Sequence, residues 1–440
     1  MHVILLSGGS GKRLWPLSND IRSKQFIRIF KREDGVYESM VERVCRQILS
    51  LDPEASVTVA TSKNQLSMIH NQLAERVSVC VEPCRRDTFP AIVLATAYLT
   101  DVLGVSPDEA VVVCPVDPYV EEDYFKALTR MAKEAEKSDA GLVLMGIEPT
   151  FPSESFGYII PKDKGSLSSV LAFKEKPSRE IAEQYVKEGA LWNGGVFAYK
   201  PSYLLSRARE LIGFTDYNDL LARYESLERI SIDYALVERE KNIRVLRFCG
   251  VWRDLGTWRA LTSVMEESVI GEGVVGKACS NVHILNEINL PVLTMGVSDV
   301  VVAVSPEGIL VSDKKSADYI KPYVERISSR VMFAEKSWGS FRILDAGETW
   351  LTVKVTLTAQ HAMNYHSHSH RDELWTVVEG RGLAVIDGTD VALTVGSVVR
   401  IPRGARHTVY AETELKLIEV QTGEEISVSD KQKYAMPERS

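Results

Sequence analysis

Through roughly the first 265 residues, short apolar runs alternate with longer amphipathic stretches. Runs rich in Val, Ile and Leu at 3–6, 57–60, 77–81, 111–116 and 142–146 predict buried strands, because β-branched side chains suit a pleated surface. Between them, 37–51, 91–102 and 124–137 repeat apolar residues at helical spacing. Such alternation builds an α/β fold, a mostly parallel sheet with helices on both faces and ligands at the carboxyl ends of its strands. Past Gly271 the pattern changes. Short strands are expected at 282–285, 292–295, 300–304 and 309–311, then a helix around 317–326. From 331 onward, runs at 341–343, 350–357, 375–380, 382–386, 397–401 and 416–420 crowd together with Gly turns, the pattern of a small β-barrel. The organisation read from this is a first domain at 1–265, a small β-rich module at 266–330, a barrel at 331–425 and a polar, frayed tail at 426–440.

Length agrees, since 440 residues at about 150 per domain is roughly three domains. The net charge of −8, from 52 Lys+Arg against 60 Asp+Glu, argues against a nucleic-acid partner and leaves room for a local basic pocket. The first residues lack a basic leader segment, and their apolar run breaks at Ser7-Gly8-Gly9, so a strand is expected there. No run approaches 18 apolar residues, so no membrane partner is expected. Six cysteines without Cys-x-x-Cys spacing point to a reducing, cytoplasmic compartment. Of eight histidines, five (His361, His366, His368, His370, His407) fall in the last 80 residues.

Two stretches carry chemistry. The first, Leu6-Ser7-Gly8-Gly9-Ser10-Gly11-Lys12-Arg13-Leu14, is a glycine loop directly after the first strand. It is not a P-loop, because Arg13 follows Lys12, nor a dinucleotide fingerprint, because Leu14 replaces the third glycine. Backbone N–H groups and adjacent cations, with Lys24 nearby, suit a triphosphate. This loop and Ser23-Lys24-Gln25-Phe26 resemble the signature of the mannose-1-phosphate guanylyltransferase family. So, in order, do Glu82-Pro83 with Arg86-Asp87-Thr88, Pro115-Val116-Asp117, Phe156-Gly157-Tyr158, Phe173-Lys174-Glu175-Lys176-Pro177, Trp192-Asn193-Gly194-Gly195, Ser231-Ile232-Asp233-Tyr234 and Trp252-Arg253-Asp254-Leu255-Gly256. Taken singly, Asp117 or Asp254 reads as a turn or cap residue; the ordered series outweighs that reading.

The resemblance implies a Rossmann-like nucleotidyltransferase domain that joins GTP to mannose 1-phosphate, making GDP-mannose and pyrophosphate. It implies that Arg13 and Lys24 stabilise the triphosphate and that Asp117 and Asp254 hold Mg²⁺. Gly8, Gly9 and Gly11 would lie against the nucleotide, with Glu82 and Arg86 near base and ribose. Gly157, Glu175, Lys176 and Asn193 would meet the sugar phosphate. The sequence departs from the family at Pro118, where His usually follows the aspartate. A different sugar or base is the alternative within the class.

In the second stretch, His366 and His368 share a strand face by period two, and Glu373 and His407 can join them across a barrel. Three nitrogens and one carboxylate suit Zn²⁺ or another divalent ion. His361 falls outside the spacing, and a turn is expected at His370. The pattern resembles the cupin motifs, and with Arg371, Trp375 and Leu417-Ile418-Glu419-Val420-Gln421-Thr422-Gly423 it resembles the mannose-6-phosphate isomerase domain of the bifunctional guanylyltransferases. His366 replaces that family's usual Gln, and no arginine arrives in the tail before Arg439. The barrel is therefore expected either to isomerise mannose 6-phosphate or to be a non-catalytic, sugar-sensing or oligomerising module; a homo-oligomer stays open.

Overall fold

The computed structural model describes residues 1–9, 12–19, 21–327, 331–427 and 430–436. The chain divides into two compact units, Met1–Gly11 with Ser23–Glu266, and Lys12–Arg22 with Glu267–Ser440. The arm Lys12–Arg22 thus leaves the first domain as the sequence pattern drew it.

The first unit is built on nine strands: β1 (His2–Ser7), β2 (Ser56–Ser62), β3 (Ser78–Glu82), β4 (Val111–Pro115), β5 (Leu142–Ile147), β6 (Tyr158–Pro161), β7 (Leu167–Lys174), β8 (Leu191–Tyr199) and β9 (Ile243–Phe248), in the order β3-β2-β1-β4-β8-β5-β9-β7-β6. The strands β3, β2, β1 and β4 run parallel, as do β5 and β9, whereas β8 lies antiparallel to both β4 and β5. The sheet is therefore mixed. Between 158 and 199 three strands follow one another with one helix, Arg179–Glu188, among them, and such near-consecutive strands pair antiparallel. Helix α1 (Met40–Leu51) starts later than its apolar spacing predicts. Ser39 Oγ accepts from the N–H of Glu42 while the Glu42 carboxylate accepts from the N–H of Ser39, a capping box that fixes the start, and Tyr37–Glu38 is a strand. Helices α2 (Thr88–Ala97) and α3 (Glu122–Lys137) are among the others that flank the sheet; α3 turns Tyr124, Phe125, Leu128 and Met131 inward.

In the second unit, β10 (Val269–Ile270), β11 (His283–Asn286) and β12 (Val300–Ser305) pair parallel, and β13 (Gly308–Asp313) returns antiparallel, over a small core of Val282, Ile284, Val302 and Val304. The helix expected around 317–326 is a 3₁₀ turn, Ser316–Tyr319, followed by Lys321–Val324. The barrel comprises β14 (Phe333–Lys336), β15 (Gly339–Ala346), β16 (Trp350–Leu357), β17 (His366–Ser367), β18 (Arg371–Glu379), β19 (Gly382–Ile386), β20 (Thr389–Leu393), β21 (Val398–Ile401), β22 (His407–Ala411), β23 (Leu415–Gly423) and β24 (Gln432–Lys433). They form a six-stranded sheet, β14-β15-β16-β23-β18-β21, and a five-stranded one, β20-β19-β22-β17-β24. The stretch expected to be a frayed tail thus contributes an edge strand, β24, that pairs with β17.

Candidate functional site

In the first unit, chain geometry gathers charges at the strand ends. Asp117 lies just past the carboxyl end of β4. Asp254 ends the short strand Trp252–Asp254, which pairs antiparallel with Pro118–Val120 and sets Asp254 opposite Pro118, next to Asp117. The Lys24 ammonium sits 2.9 Å from Asp117 Oδ2 and 3.5 Å from Asp254 Oδ1. Both carboxylate side chains stay open, 40% and 43% exposed, while that of Lys24 is 15% exposed. Two convergent carboxylates around one positive charge on an open strand end are a donor set that fits Mg²⁺, a hard cation that keeps water in its shell.

Lys24 is held by its neighbours. Ser23 Oγ donates to the carbonyl of Gly9 at 2.9 Å, and the buried Gln25 amide donates to Ser7 Oγ at 3.2 Å and the Gly8 carbonyl at 3.3 Å. Gly9 has φ +108°, a backbone that a side chain would strain. Gly11 lies outside the described residues. Arg13 is exposed on the arm that belongs to the second unit.

A second cluster lies on β7, β8 and the segment after them. Glu175 is buried, and Lys176 Nζ contacts its Oε1 at 2.8 Å. Gly157 permits this approach, because a Cβ there would collide with the Glu175 carboxylate. The N–H of Asn193 donates to the Gly157 carbonyl at 2.8 Å, and its side-chain amide donates to Asp233 Oδ1 at 2.7 Å. Burial, and then the neighbouring Glu175, push the Asp233 carboxyl up to about 7. Asp233 was visible in the sequence only as part of a matching segment, with no role assigned to it. Glu82 and Arg86 are engaged elsewhere: Tyr224 OH donates to Glu82 Oε2 at 2.8 Å, and the Arg86 guanidinium donates to the Glu225 carbonyl. Burial raises the Glu82 carboxyl, with the Tyr224 bond opposing it.

In the barrel, His366 pairs with His407 across β17 and β22, and the ligand atoms of His366, His368 and His407 lie within 4.8 Å of one another. All three rings are at most 4% exposed. Each Nδ1 meets a backbone carbonyl: His366 that of Asn364 at 2.6 Å, His407 that of Ala405 at 3.0 Å, and His368 that of Asp430. With those carbonyls accepting, each Nδ1 carries the proton and each Nε2 keeps a lone pair, which at His368 accepts from Arg371 Nη2 at 3.0 Å. Burial lowers His366 and His368, the latter to about 4, so both rings are neutral. His407 Nε2 is buried without a hydrogen-bond partner, which fits a metal-binding nitrogen. Glu373 borders the trio, its oxygens 3.2 Å from His368 Nε2 and 3.4 Å from His407 Nε2. Arg371 Nε donates to Glu373 at 3.0 Å, and Trp375 Nε1 does so at 3.3 Å. Exposed His361 and His370 stay outside the trio.

Comparisons with known proteins agree with both halves. The nucleotidyl transferase family model matches residues 2–269, and the mannose-6-phosphate isomerase C-terminal model matches residues 327–434. A mannose-1-phosphate guanylyltransferase of Escherichia coli K12 is 28% identical over 481 residues, covering 99% of this chain and 98% of its own. The xanthan biosynthesis protein XanB of Xanthomonas campestris strain B100 is 27% identical, covering 97% and 96%. The crystal structure of a mannose-1-phosphate geranyltransferase from Thermus thermophilus superimposes with TM-score 0.61 at 29% identity, over 74% of this chain and 99% of that one. Among the described residues no helix is long and apolar enough to cross a membrane. A glycine loop after β1, carboxylates at the end of β4 and on the Trp252–Asp254 strand and, later in sequence, a histidine barrel occur here in one chain, which belongs to the nucleotidyl transferase family and ends in a region matching the mannose-6-phosphate isomerase C-terminal model.

Proposed function

We propose that the first unit forms GDP-mannose and pyrophosphate from GTP and mannose 1-phosphate. The observation that carries this is Lys24 lying between Asp117 and Asp254 at the strand ends; the full-length relatives named guanylyltransferases supply the substrate class. A phosphate oxygen of the sugar bonds to the α-phosphorus of GTP as the bond to the β-phosphate breaks, a displacement that depends on positioning and charge neutralisation. Magnesium bound by Asp117 and Asp254 would neutralise phosphate charge between the two substrates. Lys24 and Arg13 add fixed positive charge, and the Gly8-Gly9 backbone leaves room for the nucleotide. Asn193, anchored by Asp233, and Glu175 face the hexose hydroxyls, and Lys176 meets the sugar phosphate. Glu82 and Arg86 would border base and ribose, with their side chains held by Tyr224 and the Glu225 carbonyl.

For the barrel the reading is a divalent-metal site, Zn²⁺ the first candidate, at which mannose 6-phosphate is isomerised to fructose 6-phosphate. Three clustered, buried imidazoles, each held at Nδ1 by a backbone carbonyl, support it. A metal-loaded chain that leaves mannose 6-phosphate unchanged would make the barrel a binding module instead. The cytoplasmic location stays part of the proposal, in line with six free cysteines. The transfer reading is tested with Asp254→Asn, which should abolish pyrophosphate release from GTP plus mannose 1-phosphate while the fold persists. Near-normal turnover in that variant would remove Asp254 from the site.

A further inference from the structure

We propose that Arg43, on α1, is a positioning residue for nucleotidyl transfer: it clamps the two-stranded ribbon that brings Asp254 to Asp117. The inference rests on the metal role given to those aspartates above, and every residue in it belongs to the first unit. The ribbon needs support from outside. Its strands, Pro118–Val120 and Trp252–Asp254, have three residues each, and so short a pair is not stable by itself. At the end nearest the carboxylates, Asp254 stands opposite Pro118, a residue without an N–H to give to the ladder.

Helix α1 supplies the support. The capping box of Ser39 and Glu42 fixes where the helix begins, and Arg43 follows in its first turn. Arg43 Nη2 donates to the Val120 carbonyl at 3.2 Å. The guanidinium carbon lies 4.8 Å from the centre of the Tyr119 ring and 5.7 Å from that of Phe30, and the two rings are 5.9 Å apart. One group therefore bonds the ribbon's backbone and stacks on its middle side chain, a combination that suits a planar guanidinium. Phe30 is itself anchored. It pairs with Glu38 across a short hairpin, and Glu38 accepts from Arg46 Nε at 2.9 Å and Nη2 at 2.7 Å. Arg46 lies three residues beyond Arg43, so α1 holds the hairpin with one arginine and the ribbon with the other. A small cavity bordered by Val44, Gln47 and Tyr119 lies between helix and ribbon, so the ribbon bears on Arg43 rather than on close-packed side chains there. In register, Val120 faces Trp252 and Tyr119 faces Arg253, the two residues that lead to Asp254. Pro118, at the far end, follows Asp117 directly. The clamp thus acts on the segments that carry both carboxylates. Small displacements of such groups are costly in reactions that depend on positioning.

The test uses the full chain. Pyrophosphate release is followed across magnesium concentrations, and amide hydrogen exchange is measured without substrate. Arg43→Ala should raise the magnesium concentration for half-maximal rate by about tenfold. At saturating magnesium its KM for mannose 1-phosphate should stay within about twofold of wild type, a split that general destabilisation would not produce. Exchange at Tyr119, Val120, Arg253 and Asp254 should quicken by about tenfold, while that of β4 and β9 stays as in wild type. Tyr119→Leu removes the stacked face and should share both changes; Tyr119→Phe keeps the ring and should recover wild-type behaviour. In a Tyr119→Leu background, Arg43→Ala should cost less than it does alone. A folded Arg43→Ala chain with wild-type magnesium dependence or unchanged ribbon exchange would overturn the proposal, as would full additivity with Tyr119→Leu. If Arg43→Ala does not fold, Tyr119→Leu against Tyr119→Phe decides the matter alone. Near-normal turnover of Asp254→Asn would refute the underlying metal role, and that outcome is distinct from an Arg43→Ala chain whose ribbon exchanges as in wild type.

Discussion

The strand-end site and the barrel site hold their charges in opposite surroundings. Asp117 and Asp254 are about two-fifths exposed and are brought together by the pairing of two three-residue strands. His366, His368 and His407 are almost fully buried, and each ring is oriented by a backbone carbonyl. Exposed carboxylates keep their hydration until a highly charged ligand arrives, so the open site accommodates substrate charge at little desolvation cost. The barrel has met that cost during folding, by keeping His366 and His368 neutral and holding all three rings against backbone carbonyls. The difference teaches that the first site should tolerate loss of a charge without unfolding, whereas the second should be sensitive to the groups behind its ligands.

The largest effect is expected where charge is removed from the open site. Asp117→Asn should reduce pyrophosphate release by about a thousandfold or more, and the double variant with Asp254→Asn should fall no further. Thermal denaturation should show both chains folded, with barrel metal content unchanged; unfolding of either would break the comparison. Next is Asp233, a partly buried carboxyl of the first unit. Its carboxyl is raised to about 7 from an ordinary 3.8, so its contribution to stability is complete below about pH 4 and is lost as pH rises through 7. Wild-type stability should therefore fall by up to about 4 kcal/mol from this group between pH 4 and 8. Asp233→Asn should flatten that fall in denaturant titrations; an unchanged pH dependence would show that burial does not set this group.

The barrel's response should be smaller and confined to the metal. His368→Ala should weaken zinc retention on dialysis by about a hundredfold, with pyrophosphate release intact. Asp430→Ala keeps the carbonyl behind His368 but loses the carboxylate that accepts from the N–H groups of Ser369 at 2.8 Å and His370 at 3.1 Å. It should weaken zinc by about tenfold. Equal zinc affinity in that variant would mean that the ligand shell does not depend on its support.

Periodicity made the strands β1, β2, β4 and β5 legible, because strands covered on both faces read as continuous apolar runs. It placed the start of α1 too early, since Tyr37 is in phase with the helix; the Ser39-x-x-Glu42 box was the better signal. Nothing local announces that β8 inserts between β4 and β5, because a partner strand is chosen by the whole sheet. Likewise, the approach of Asp254 to Asp117 depends on a ribbon joining residues more than a hundred positions apart, and only the family resemblance predicted it. The histidine trio was legible from spacing, although β17 ends at Ser367 and His368 is oriented by Asp430 rather than by the strand. The tail read as frayed because side-chain and backbone hydrogen bonds, not apolar periodicity, secure it: Ser367 and Tyr434 hydroxyls meet at 3.0 Å, and Arg406 lies 4.3 Å over the Tyr434 ring. The departure of Lys12–Arg22 into the second unit has the same character, resting on Asn19, Arg22 and two distant glutamates.

The central claim is the choice of substrates in the first unit. The most direct measurement is pyrophosphate release by the purified chain across a panel of four nucleoside triphosphates and several sugar 1-phosphates with magnesium. GTP with mannose 1-phosphate should give the highest kcat/KM of the panel; a faster pair with another base or sugar, or no release with any pair, would contradict it.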